Sequence, residues 1–208
     1  MRVRETRALF ESRCKEAGLV GEFAVEVGKV ADVIIKRAAW VDLVVVGMTH
    51  PSDGSLARLG HGLNKLVQSC PRPIFVLPSN ATTDVGSPML LSYDGSRKAD
   101  EALFLAAYFA LRQPRKLTVV TVKTEHTDRS DLEYAREYLE SREIEADYVF
   151  QEDRSKSIAE SVLETAVSTD AGLLIMGGFG FRPVLHLVLG SAVDQILREF
   201  KRPVLICR

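Results

Sequence analysis

The chain has 208 residues, 46% of them hydrophobic and 26% charged, which is ordinary for a globular protein and ample for a real core. A formal net charge of -1 argues against a dedicated nucleic-acid binder, which needs surplus Lys and Arg to neutralise phosphates. No apolar run reaches bilayer length, the charged N-terminus lacks the apolar stretch of a secretory signal, and three scattered cysteines without a C-x-x-C pair suit a reducing compartment, so the expected location is the cytoplasm and no membrane is expected as a partner.

In chain order, a helix is predicted over about residues 5–17, with Phe10 and Cys14 four apart on its apolar side. A loop beginning at Gly47 carries His50 and reaches Gly60-His61. Leu63, Leu66, Val67 and Cys70 then recur at helical spacing, and Arg72-Pro73 leads into a strand run. The polar stretch from Pro78 to Pro88, with no apolar periodicity, reads as a linker over residues 79–87.

Beyond the linker, strands and helices alternate. Met89-Leu-Leu-Ser-Tyr93 is a short buried strand, and Ser96 can cap a helix that turns Ala99, Leu103, Ala106 and Ala110 inward. Leu117–Val122 is a β-branched strand, followed by a charged helix over about residues 131–141 and a strand near 147–151. Ile158, Val162 and Ala166 place the next helix, and Ala171-Gly-Leu-Leu-Ile-Met176 is a strand that ends in glycines. Val193, Ile196, Leu197 and Phe200 mark a last helix, and residues 203–207 a last strand. Five strands alternating with four helices predict a parallel α/β sheet covered on both faces.

An offset of 130 residues, without gaps, superposes the earlier stretch on the later one. Gly47 meets Gly177, Leu59-Gly60 meets Leu189-Gly190, Arg72-Pro73 meets Arg202-Pro203, and the helix positions Leu63, Leu66, Val67 and Cys70 meet Val193, Ile196, Leu197 and Phe200. Agreement in turns, helix face and strand at one offset marks an internal repeat. The expected organisation is a partial first copy over 1–78, the linker over 79–87 and a complete copy over 88–208. The first copy lacks counterparts of residues 89–122, two strands and a helix. Either the chain begins upstream of Met1, or the half-copy leans on the second copy or on a partner chain.

The chemistry concentrates in Gly177-x2-Gly180-x9-Gly190-Ser191. Glycines at a strand end permit a sharp turn and let backbone N–H groups approach a ligand. Gly190-Ser191 then opens a helix, whose unpaired N–H groups and positive dipole end favour an anion. Such a loop and helix start can cradle a polyphosphate. The pattern is not a P-loop, since no G-K-[ST] follows, nor a dinucleotide fingerprint, which belongs after a first strand.

This G-x2-G-x9-G-[S/T] pattern resembles that of ATP-binding universal stress proteins, and residues 88–208 resemble the family over their whole length, including Tyr93-Asp94-Gly95-Ser96 after the first strand and Pro203 before the last. The resemblance implies a Rossmann-like five-stranded sheet of order 3-2-1-4-5. It implies ATP, with Mg or Mn, held by Asp94 at the adenine or ribose end and by the backbone of Val122 at the base. Gly177 and Gly180 would lie near ribose and phosphates, and Gly190 and Ser191 on the phosphates. Val193 departs from the pattern, since many nucleotide-binding members carry a second hydroxyl there. The first copy departs further: His50 replaces the second glycine, His61 replaces the hydroxyl residue, and the strand-one Asp has no counterpart, so no nucleotide is expected there.

Plainer readings stand beside these. Asp94 can serve only to tidy backbone N–H groups at the helix start. His50 and His61 lack a carboxylate or Cys that would complete a metal site, and Arg182 and His186 read equally well as surface side chains. Cys70 and Cys207 align with Phe200 and Leu77, which makes them core cysteines. No catalytic residue is assigned, because neither a nucleophile pair nor a general base beyond Asp94 is visible. The expected function is a nucleotide-responsive binding module with at most weak ATP hydrolysis. Its alternatives are a nucleotide-free dimerisation scaffold paired through the last strand, as homodimer or intramolecular pseudo-dimer, and an ATP-using enzyme of related fold, whose S-G-G-x-D-S loop is missing.

Overall fold

The structure, a computed structural model, describes residues 2–48, 56–78, 86–178 and 191–208. The first part of the chain forms α1 (Arg2–Glu16), α2 (Val30–Ala38), β1 (Val44–Met48), α3 (Leu56–Ser69) and β2 (Ile74–Pro78). The second part forms β3 (Met89–Ser92), α4 (Arg97–Arg112), β4 (Leu117–Val122), α5 (Arg129–Glu140), β5 (Ala146–Gln151), α6 (Ile158–Ser168), β6 (Leu173–Gly177), α7 (Ser191–Glu199) and β7 (Val204–Cys207). Strands and helices of the second part follow the predicted alternation.

Local chemistry accounts for the boundaries. Met89, Leu90 and Leu91 have no exposed surface, as a strand buried on both faces of a parallel sheet requires. Ser96 caps α4 by accepting from the Ala99 N–H at 3.2 Å. Asp128 with Asp131, and Ser157 with Glu160, form capping boxes at the starts of α5 and α6. Buried Ala99, Ala102, Ala106 and Ala107 give α4 a flat inner face, which lets it pack directly on β6 and β7.

The strands lie in the order β1-β2-β7-β6-β3-β4-β5. Every pairing is parallel except that of β2 with β7, which is antiparallel. This corrects the expectation of a five-stranded sheet of order 3-2-1-4-5. The strands of residues 88–208 do run β5-β4-β3-β6-β7, but β2 and β1 continue the same sheet beyond β7. The reason lies in the β7 edge, where Val204, Leu205 and Ile206 are buried. An apolar strand left with an open backbone edge is unfavourable, and β2 satisfies it.

The β2–β7 register is symmetric. Ile74 pairs with Ile206, Phe75 with Leu205 and Val76 with Val204, so at the 130-residue offset Phe75 faces its own counterpart and the flanking pairs exchange. Hydrogen bonds repeat at the same offset: the Val44 N–H donates to Pro73 O at 3.0 Å, and the Leu174 N–H to Pro203 O at 3.1 Å. The first part has no strand between its two opening helices. Between α1 and α2, residues 17–29 form no strand although Phe23 and Val25 alternate with polar or small neighbours, because no neighbouring strand offers a ladder there.

Two cores flank the sheet. One lies under α4 and α5 and includes Leu91, Leu103, Leu117, Leu139, Ile175 and Leu205. The other lies under α2, α3, α6 and α7 and includes Leu66, Leu90, Val120, Leu174, Ile196 and Ile206. Cys70 and Cys207 are buried in these cores, one in each, and all three cysteines are free. No helix among the described residues is long and apolar enough to cross a membrane.

Candidate functional site

In the run β6-β3-β4 all strands are parallel, so their carboxyl ends share one edge of the sheet. The chain leaves β3 toward β4 on one side and later returns as β6 on the other. Such a reversal leaves a crevice beyond the strand ends, the usual ligand position in open α/β sheets. Asp94 follows β3, Val122 ends β4 and Gly177 ends β6, so these three predicted residues are brought to that crevice.

Val122 is placed there by strand geometry. The Tyr93 N–H donates to Val120 O at 2.9 Å, and the Lys123 N–H donates to Gln151 O at 2.8 Å. Successive residues of β4 therefore point their backbone groups alternately toward β3 and β5. Val122 faces the β3 side, and β3 has already ended at Ser92. Its N–H and C=O are aimed past the end of β3, beside the Asp94 turn.

That turn is held from both sides. An Asp94 carboxylate oxygen accepts from the Ser96 N–H at 3.0 Å, and the Thr127 hydroxyl donates to Asp94 O at 3.4 Å. Gly95 has φ +71°, where glycine is favoured, and a Cβ there would fall 2.1 Å from an Asp131 carboxylate oxygen. Asp131 in turn accepts from the Asp128 N–H at 2.9 Å, so the loop after β4 is pinned against the loop after β3. Beneath them the Tyr93 hydroxyl donates to Asp100 at 2.8 Å and its ring stacks on Tyr134. Burial, then this carboxylate, pushes the Tyr93 phenol far above its ordinary range, so it stays protonated. Asp94 thus does the plain helix-start work with one oxygen while standing in the crevice.

Gly177 has a reason of its own. A Cβ there would come within 2.9 Å of the Ala99 nitrogen and 3.0 Å of the Lys98 carbonyl carbon, so the residue is small because the first turn of α4 rests on it. Gly178 is equally hemmed in by Ile206 and by Cys207 O, to which its N–H donates at 2.6 Å. Ser191 begins α7, whose N-terminus opens at residue 191. Gly180 and Gly190 lie outside the described residues, as do His50, Arg182, His186 and most of the linker. Val193, the departure from the hydroxyl pattern, is a buried core residue.

Sequence reasoning passed over three neighbours. Lys98, against Gly177, has its ammonium held below the ordinary value by burial and then by Arg208. Thr127 locks the Asp94 turn from a loop with no motif to announce it. Asp194, in the first turn of α7, is pushed up to about 6 by burial, against the pull of Arg198. Only Asp194 carried a signal, as an acid in the first turn of a helix.

Comparison with known proteins bears on this architecture. The family model described as the universal stress protein family matches residues 87–208. A universal stress protein of Synechocystis is 26% identical over 171 residues, 80% of this chain, and the chain spans 58% of that relative's length. One from Thermus aquaticus is 30% identical over 133 residues, which cover 58% of this chain and 97% of the relative. The crystal structure of a universal stress protein from Archaeoglobus fulgidus superposes on all of this chain and 76% of its own, with TM-score 0.84 at 20% identity, so the likeness of fold extends through the N-terminal part. The family match takes in the Asp94 turn, the Val122 strand end and the glycines at 177 and beyond, and on that ground the chain belongs to the universal stress protein family.

Proposed function

We propose that residues 88–208 form an adenine-nucleotide-binding module that takes ATP in the crevice beyond β3, β4 and β6, and that the chain acts as a nucleotide-responsive stress or signalling protein. The observation that carries this reading is the meeting of three strand ends, with the Val122 backbone groups directed past the end of β3 beside Asp94. A base edge needs a donor and an acceptor at fixed spacing, and one strand residue offers both. Gly180, Gly190 and Ser191 would take the phosphates, helped by the N-terminal end of α7. Mg or Mn would arrive with the triphosphate. The module has at most weak ATP hydrolysis, since binding and not proton transfer is what these residues offer.

We read residues 1–78 as a partial, degenerate copy of the same domain. The symmetric β2–β7 register supports this reading, as does the recurrence of the strand-entry hydrogen bonds at the 130-residue offset. An edge occupied by the chain's own strand favours an intramolecular pseudo-dimer over a homodimer paired through β7.

Titration calorimetry with Mg-ATP tests the site. The wild-type chain is expected to bind, and Gly180→Val to bind about tenfold more weakly or worse. Equal affinity in the two proteins would overturn the nucleotide reading and leave the scaffold alternative.

A further inference from the structure

One cation at the crevice has no acid to answer it. Lys98 stands in the first turn of α4, and its Cβ lies 3.1 Å from where a Cβ on Gly177 would be. Its ammonium is held below the ordinary value first by burial and then by Arg208, a second cation. Both effects disfavour the charge. Among the described residues no carboxylate forms an ion pair with it.

The acids nearby are engaged elsewhere. Asp94 accepts from the Ser96 N–H at 3.0 Å, Asp100 from the Tyr93 hydroxyl at 2.8 Å, and Glu101 from the Arg208 main-chain N–H. The sequence from 179 to 190 supplies none, since it holds Arg182 and His186 but no Asp or Glu. Arg208 itself is anchored. Its main chain is tied to Glu101, and its Nη1 donates to Cys70 O at 3.2 Å, just beyond α3. A cation fixed at the end of β7 repels the Lys98 ammonium away from that strand, toward the ends of β6 and β3 where the crevice lies.

We propose that Lys98 is a phosphate-binding residue of the crevice: its ammonium supplies the counter-charge for the phosphate chain of a bound nucleotide and so sets a preference for the nucleotide over the bare nucleoside. This role rests on reading residues 88–208 as a nucleotide module. A phosphate chain entering beside Gly177 brings the negative charge that the site lacks, and a charge-assisted hydrogen bond to it favours the ionised amine that burial and Arg208 disfavour. Gly177 then has two effects at once. Without a Cβ it seats the first turn of α4, and with that turn it sets the root of the lysine side chain at the crevice.

Titration calorimetry on the full-length protein compares Mg-ATP with adenosine in Lys98→Met, which keeps an apolar stem and removes the charge. The expected result is an ATP affinity lower by about tenfold or more, with adenosine affinity within about twofold of wild type. Lys116→Met is the control. It removes the same charge at the amino end of β4, on the opposite edge of the sheet, and is expected to alter binding of neither ligand. Unchanged ATP affinity in Lys98→Met, or equal losses for ATP and adenosine, overturns the role of Lys98 and leaves the nucleotide module standing. An ATP loss of the same size in Lys116→Met also overturns it, by making net charge the cause. Wild-type protein that binds neither ligand overturns the nucleotide reading and this proposal with it.

Discussion

Residues 30–78 and 158–208 build the same helix–strand–helix–strand order and meet each other across β2 and β7, yet their surroundings differ. In the later stretch β6 is flanked by β3 and roofed by α4, and Ile175 is fully buried. In the earlier stretch β1 is an edge strand, and the corresponding Val45 is more than half exposed. Similar residues at matching positions thus contribute differently to stability, because burial belongs to the neighbours and not to the side chain. The same contrast explains why the crevice with Asp94, Val122 and Gly177 exists only once among the described residues: no described strand ends beside Gly47 on the side away from β2.

The comparison can be broken most decisively at its core positions. Ile175→Ala should cost about 2–5 kcal/mol in urea unfolding, whereas Val45→Ala should stay within about 0.5 kcal/mol. Equal losses would mean that β1 is roofed in solution without help. The glycine pair comes next. Gly177→Val drives a side chain into the first turn of α4 and should cost about 1–3 kcal/mol, with Gly47→Val near neutral. A large loss at Gly47 would show that its surroundings are filled.

The smallest effect concerns Asp194, whose counterpart at the offset is the neutral Asn64. Its carboxyl is raised to about 6, chiefly by burial, so the folded state disfavours the ionised form. Stability is therefore unaffected below the ordinary carboxylate pKa and falls as pH rises from about 4 to about 6, where the loss is complete. Asp194→Asn should remove that fall. Allowing for solvent screening of a half-buried group, the gain at pH 7.5 is about 1 kcal/mol, or about 2–4 °C in Tm, and it vanishes at pH 4. A gain of the same size at both pH values would count against a titrating carboxyl.

Much of the fold was legible before any coordinates. Buried apolar runs such as Leu117–Val122 and caps such as Ser96 are local signals, and they located strands and helices to within a few residues. The Gly177 position is carried by the glycine spacing, those of Asp94 and Val122 by the family resemblance, and their convergence follows from the parallel strand order. Thr127 and the Gly95–Asp131 contact were not legible, because loops distant in sequence meet there without any periodic pattern. The packing of α4 against Gly177 was not legible either, because the atoms nearest its absent Cβ come from a helix about eighty residues earlier in the chain.

By itself the sequence determined the alternation of elements in the second part and the family to which residues 87–208 belong, since both are written in short-range spacing. The tertiary structure alone decided that β2 joins β7 in one seven-stranded sheet, that residues 17–29 form no strand, and that Val45 is left bare where Ile175 is buried. Strand partnership and burial depend on which edges and faces remain open once everything else has packed, and no local pattern carries that information.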